Sequence, residues 1–138
     1  MRIVLDTNAL LASFSKNSPS ASVWRGLIEG RYTLCVSNDI LWEYQEIIAL
    51  KTTPQIAENV INYLLQSRFV ERIIPSYHFE LITADRDDNK FVDCAIAANA
   101  TFIVSDDKHF RPLQDISYPK LIVDRLMEFV EILKTCHP

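Results

Sequence analysis

Short apolar runs recur along the chain at about residues 2–5, 32–36, 69–74, 101–104 and 120–123, each rich in Ile, Val, Leu or Phe and bounded by polar residues. Runs of this length and composition read as buried strands. The intervals between them carry apolar residues at helical spacing. The first predicts a short helix from Asn8 and a second over about 20–29, stopped by Gly30. The next predicts helices at about 38–50 and 54–67, the latter opened by Pro54. After a polar loop, an alanine-rich helix follows through about residue 100. Strands alternating with helices predict an α/β fold in three α/β/α layers, with a central, mainly parallel sheet covered on both faces. The order of the strands cannot be read from this pattern.

Two of the runs end in acid. Arg2-Ile3-Val4-Leu5 stops at Asp6-Thr7-Asn8, and Thr101-Phe102-Ile103-Val104 stops at Ser105-Asp106-Asp107. Ligands of open α/β sheets bind beyond the carboxyl ends of the strands, so both endings point to one shared acidic pocket. Either Asp106 or Asp107 also suits the start of a helix through Lys108-His109-Phe110, and capping and catalysis are compatible there.

Two further carboxylates stand on helix faces that should be apolar. On a wheel of the 38–50 helix, Glu43 falls within the arc of Ile40, Tyr44, Ile47, Ile48 and Leu50, whereas Glu46 falls outside it. Glu43 is therefore either a carboxylate aimed at the sheet or an edge residue that snorkels or pairs with an arginine. Asp93 sits among Phe, Val, Ile, Cys and Ala, and burying a lone carboxylate costs several kcal/mol unless it is paired, protonated or bound to a cation. That cost points to a metal role. Asp87 or Asp88 is a natural cap for the same helix, and capping is the preferred account of Asp87. His78, His109 and His137 match no His-based ligand spacing, so the donor set reads as oxygen only, which suits Mg²⁺ or Mn²⁺.

The 138 residues suit one domain with one core. A hydrophobic share of 49% and a charged share of 23% argue against disorder, and no apolar run is long enough to span a membrane. With no signal-peptide pattern at the N-terminus, a cytoplasmic protein is expected. Cys35, Cys94 and Cys136 are odd in number and widely spaced, which reads as reduced thiols. A formal net charge of −4 disfavours holding nucleic acid chiefly by a broad positive surface, but a carboxylate site loaded with divalent cations would still attract a phosphodiester. Trp24, Trp42 and Tyr63-Leu64-Leu65 offer more large apolar groups than one small core requires, and a homodimer is expected.

Taken together, Asp6-Thr7-Asn8, the helix with Glu43, Asp87-Asp88-Asn89-Lys90-Phe91 with Asp93 beyond it, and Val104-Ser105-Asp106-Asp107-Lys108-His109-Phe110 resemble the PIN-domain ribonucleases. The branch most similar is that of toxin components of toxin–antitoxin systems. The resemblance implies an acidic quartet of Asp6, Glu43, Asp93 and Asp107 holding one or two Mg²⁺ or Mn²⁺ ions, with Asn8 and Ser105 as polar support. Asp88 and Asp106, close to two of these positions, are further candidate ligands, direct or through water. It also implies a ribonuclease acting by two-metal phosphodiester hydrolysis, an RNA substrate and an antitoxin partner. Lys90, Lys108, His109 and Arg111 are candidates for phosphate contact, with a solvated surface role as the alternative. Two rival functions are a non-catalytic interaction module and an aspartate-based phosphatase, although Asn8 replaces the second Asp that a phosphatase would need.

Overall fold

The computed structural model describes residues 1–82 and 85–135, so Cys136 and His137 lie outside the described residues. Strand β1 (Arg2–Leu5) is followed by helices α1 (Thr7–Ala12) and α2 (Ala21–Ile28), strand β2 (Thr33–Val36), and helices α3 (Asn38–Lys51) and α4 (Pro54–Gln66). Strand β3 (Val70–Arg72) leads through a long loop and a 3₁₀ turn (Arg86–Asp88) into α5 (Asn89–Ala98) and β4 (Phe102–Val104). A 3₁₀ segment (Lys108–Asp115), strand β5 (Val123–Asp124) and helix α6 (Leu126–Thr135) complete the chain.

All pairings in the five-stranded sheet are parallel, in the order β3-β2-β1-β4-β5. The chain thus winds outward from β1 on one side, then returns to place β4 on its other side. This reversal is the topological switch point, where parallel sheets open a crevice at their carboxyl ends. Ile3, Val4 and Leu5 pair with Phe102, Ile103 and Val104, and the Asp6 N–H donates to the Val104 carbonyl at 3.1 Å. The two acid-ended strands are therefore neighbours.

Local chemistry sets the helix ends. Ser37 and Thr53 cap α3 and α4, accepting from the N–H groups of Ile40 and Ile56. Helix α2 ends as its Gly30 stop implies, with φ +75° and the Arg31 N–H donating to the Gly26 carbonyl at 2.9 Å. Helix α5 ends likewise at Asn99, with φ 52° and the Ala100 N–H on Ala95. Tyr44, Phe91, Phe110 and Phe129 are fully buried within the core around the sheet, and Cys35 and Cys94 are buried free thiols.

Several expected boundaries shift. The last strand is Val123–Asp124 rather than 120–123, because β4 offers it only Ile103 and Val104 as partners. Helix α6 was not expected, although Leu126, Phe129, Val130 and Leu133 bury one face at helical spacing. Leu50 lies outside the buried face of α3 at 74% exposure, which narrows that face to Ile40, Leu41, Tyr44 and Ile48 and leaves Glu43 half-buried at its edge. Neither Asp87 nor Asp88 caps by its side chain. Asp85 instead caps the 3₁₀ turn that precedes α5, accepting from the Asp87 N–H at 3.0 Å.

Candidate acidic site at the strand ends

Asp6 is both the residue that ends β1 and the N-cap of α1. Its Oδ1 accepts the Ala9 N–H at 2.8 Å, and its Oδ2 accepts the Ser105 hydroxyl from the end of β4. The same Ser105 Oγ accepts the Asp107 N–H at 3.0 Å. One serine thus ties the two strand-end acids into a fixed relation. Asp107 in turn caps the 3₁₀ segment, its Oδ1 accepting the His109 N–H at 2.9 Å. Asp6, Asn8, Asp106 and Asp107 line a common cavity.

Beside it, the His109 ring enters between two carboxylates. His109 Nδ1 lies 3.4 Å from Asp107 Oδ1 and 3.5 Å from Asp88 Oδ2. Neither approach satisfies a hydrogen bond, and both His109 Nδ1 and Asp88 Oδ2 are buried atoms without a hydrogen-bond partner. Asp85, Asp88 and His109 each offer a ligand atom within 4.8 Å of the others. Unsatisfied buried donor atoms at this spacing fit a divalent cation, and they add an imidazole to the oxygen-only set expected from spacing.

The electrostatics are those of crowded acids. Burial pushes the Asp6 carboxyl up to about 6; the Asp106 and Asp107 charges add to this, while the Ser105 and Ala9 hydrogen bonds oppose it. Burial also pushes Asp88 up to about 6, reinforced by the charges of Asp85 and Asp107 and opposed by His109.

Glu43 reaches the end of β1 by another route. Its Oε2 accepts the Thr7 hydroxyl and its Oε1 accepts Lys90 Nζ at 2.9 Å. Its partner is thus a lysine and a threonine rather than an arginine, and Lys90 is engaged rather than freely solvated. Lys108 and Arg111 are exposed. Asp106, exposed at the cavity edge, accepts the Leu126 N–H at 2.9 Å and holds the start of α6.

Asp93 has partners of its own. It is 4% exposed, as its apolar neighbours imply, but Oδ1 accepts the Phe79 N–H at 3.0 Å and Oδ2 lies 3.2 Å from His78 Nδ1. It lines a different cavity, with His78, Arg86 and Lys90. Asp88 ends the 3₁₀ turn before α5, whereas Asp93 lies one turn inside the helix, so the two carboxylates have different partners. Thr7, Asp85 and the ring of His109 were not singled out as parts of an acidic site, because their roles depend on neighbours distant in sequence.

The PIN domain family model matches residues 2–109, and the chain belongs to that family. Among solved structures, VapBC2 from Rickettsia felis, bound to a DNA fragment from its promoter, contains a chain similar to this one with a TM-score of 0.63 and 22% identity. The match covers 91% of this chain and 98% of that one, a likeness of fold. No curated protein matched the chain. Among the described residues, no helix is long and apolar enough to cross a membrane.

Proposed function

We propose that this protein is a Mg²⁺- or Mn²⁺-dependent endoribonuclease and the toxin of a toxin–antitoxin pair. The observation that carries the proposal is a chain of acids at the switch point of a PIN-family sheet: Ser105 joins Asp6 to Asp107, and His109 lies between Asp107 and Asp88, where its Nδ1 and Asp88 Oδ2 are buried and unsatisfied. In this reading Asp88 and His109, with Asp85, hold a cation, Asp6 and Asp107 supply the adjoining carboxylates, and Glu43 completes the rim through Thr7. Ser105 keeps Asp6 and Asp107 in register. Lys90, Lys108 and Arg111 supply positive charge for the strand's phosphates, with Asn8 and Asp106 as polar groups at the cavity edge. When bound, one or two divalent cations would activate water and offset charge on the phosphodiester. The likeness to a VapBC2 chain supports a cognate antitoxin as partner, and the exposed Trp42 supports a homodimer.

Cleavage of a labelled single-stranded RNA with added Mn²⁺, combined with Mn²⁺ calorimetry, tests the proposal. The wild type should cut, and Asp6→Asn and Asp88→Asn should each weaken Mn²⁺ binding at least about tenfold and abolish cutting. Asp93→Asn should bind Mn²⁺ as the wild type does, whereas loss of binding would return Asp93 to the ligand set. A wild type that neither binds Mn²⁺ nor cuts would leave the interaction module as the better account.

A further inference from the structure

The loop between β3 and α5 crosses the amino-terminal part of α5 as a strap, fastened by two side chains one helical turn apart. Asn89, 8% exposed, pairs twice with Ile82, its Oδ1 accepting that N–H at 2.8 Å and its Nδ2 donating to that carbonyl at 2.9 Å. Asp93 accepts the Phe79 N–H and meets His78. Two nearly buried polar residues are thus spent on holding a surface loop. Between them, Glu80 adopts φ 52°, a left-handed conformation costly for a residue with a side chain.

What the strap presents is aromatic. Tyr77 is 72% exposed, Phe79 38%, and their rings lie 6.0 Å apart in a tilted pair. Pro75, His78 and Glu80 of the strap line a cavity with Arg86, Lys90 and Asp93, and it continues into the one that contains Glu43, since Asp39, Asp87 and Lys90 line both. Exposed aromatic rings on a fastened backbone match the surface on which unpaired bases stack. Arg86 is the exposed cation of the adjoining cavity, whereas Lys90 is paired with Glu43.

We propose that the Tyr77–Phe79 strap is a stacking platform for an unpaired base of the RNA strand, on the Glu43 side of the site, with Arg86 meeting the adjacent phosphate and Asp93 as its positioning residue. This rests on the nuclease reading for the identity of the strand. The platform selects single-stranded over base-paired RNA, because a base held in a duplex cannot offer its face.

Fluorescence anisotropy with a phosphorothioate-linked single-stranded oligouridine and Mn²⁺ tests the platform, with an oligomer of equal length carrying abasic positions as the control. The wild type should bind the base-bearing strand about tenfold or more tightly than the abasic one, the range expected for one stacked base. Tyr77→Ala should remove most of that preference without weakening abasic binding, and Tyr77→Phe should keep it. Asp93→Asn should reduce the preference while leaving Mn²⁺ binding intact. Equal affinity for both strands in the wild type, no strand binding, or a preference unchanged by Tyr77→Ala would each overturn the platform. The nuclease reading is judged separately by cleavage: a wild type that cuts RNA but shows no base preference keeps the nuclease and loses the platform. One that shows the Tyr77-dependent preference without cutting does the reverse.

Discussion

Asp6 illustrates how a single carboxylate can serve structure and site together. Its hydrogen bonds to the Ala9 N–H and the Ser105 hydroxyl favour the charged form, but burial beside Asp106 and Asp107 outweighs them and raises its pKa from 3.8 to about 6. Between these values the folded protein holds a proton that the unfolded chain has released, so this group's contribution to stability falls as pH rises through the window. The shift corresponds to at most about 3 kcal/mol. In EDTA, the stability of Asp6→Asn relative to the wild type should therefore rise between about pH 4 and pH 6, then level off, as followed by urea denaturation across pH. A difference that stays flat across this range would mean that the Asp6 carboxyl is not destabilised by its surroundings.

At the scale of elements, the two glycines make opposite demands. Gly30 ends α2 with φ +75°, and a Cβ there would approach the Phe69 ring to 2.5 Å. Gly26 lies within α2, where a Cβ would meet Tyr32 at 3.4 Å and Leu133 at 3.6 Å, close to ordinary contact. Gly30→Ala should cost about 1–3 kcal/mol through backbone strain, with the ring contact adding to it. Gly26→Ala should be neutral or stabilising by up to about 1 kcal/mol through helix propensity. Urea denaturation of the two variants side by side checks both signs. Helix α5 shows a different division, since Asn89 and Asp93 face the strap while Asp88, just before the helix, faces His109.

For the molecule as a whole, the apolar surplus noted in the sequence is mostly absorbed. Trp24 packs edge-on against Phe14 with ring centres 5.2 Å apart and lies 5.5 Å from Tyr63, and Leu64 is 1% exposed. Trp42 and Leu65 remain outside, at the mouth of a groove between α3 and α4 that Leu41 and Ile61 also line. An exposed tryptophan and leucine beside a groove of mixed character, with Asn38, Gln45 and Arg72 at its sides, form the surface on which self-association would rest. Size-exclusion chromatography with light scattering should give a dimer at micromolar concentration, and Trp42→Ser should shift it to monomer. A monomeric wild type would remove the dimer.

Much of this architecture is local and was therefore legible in the chain. Apolar runs with polar ends become β1, β2 and β4, Gly30 stops α2, Pro54 opens α4, and acids stand where β1 and β4 end, all through interactions among near neighbours in sequence. The buried state of Asp93 was legible too, since its neighbours are apolar; its partners were not, because the strap that supplies them lies a loop away. Tertiary structure alone decided the strand order that brings Asp6 against Ser105, and the direction α5 takes from the 3₁₀ turn. That direction points Asp88 toward His109 and Asp93 toward Phe79. The physical reason is that periodicity specifies which face of an element is buried, whereas only packing specifies what that face meets.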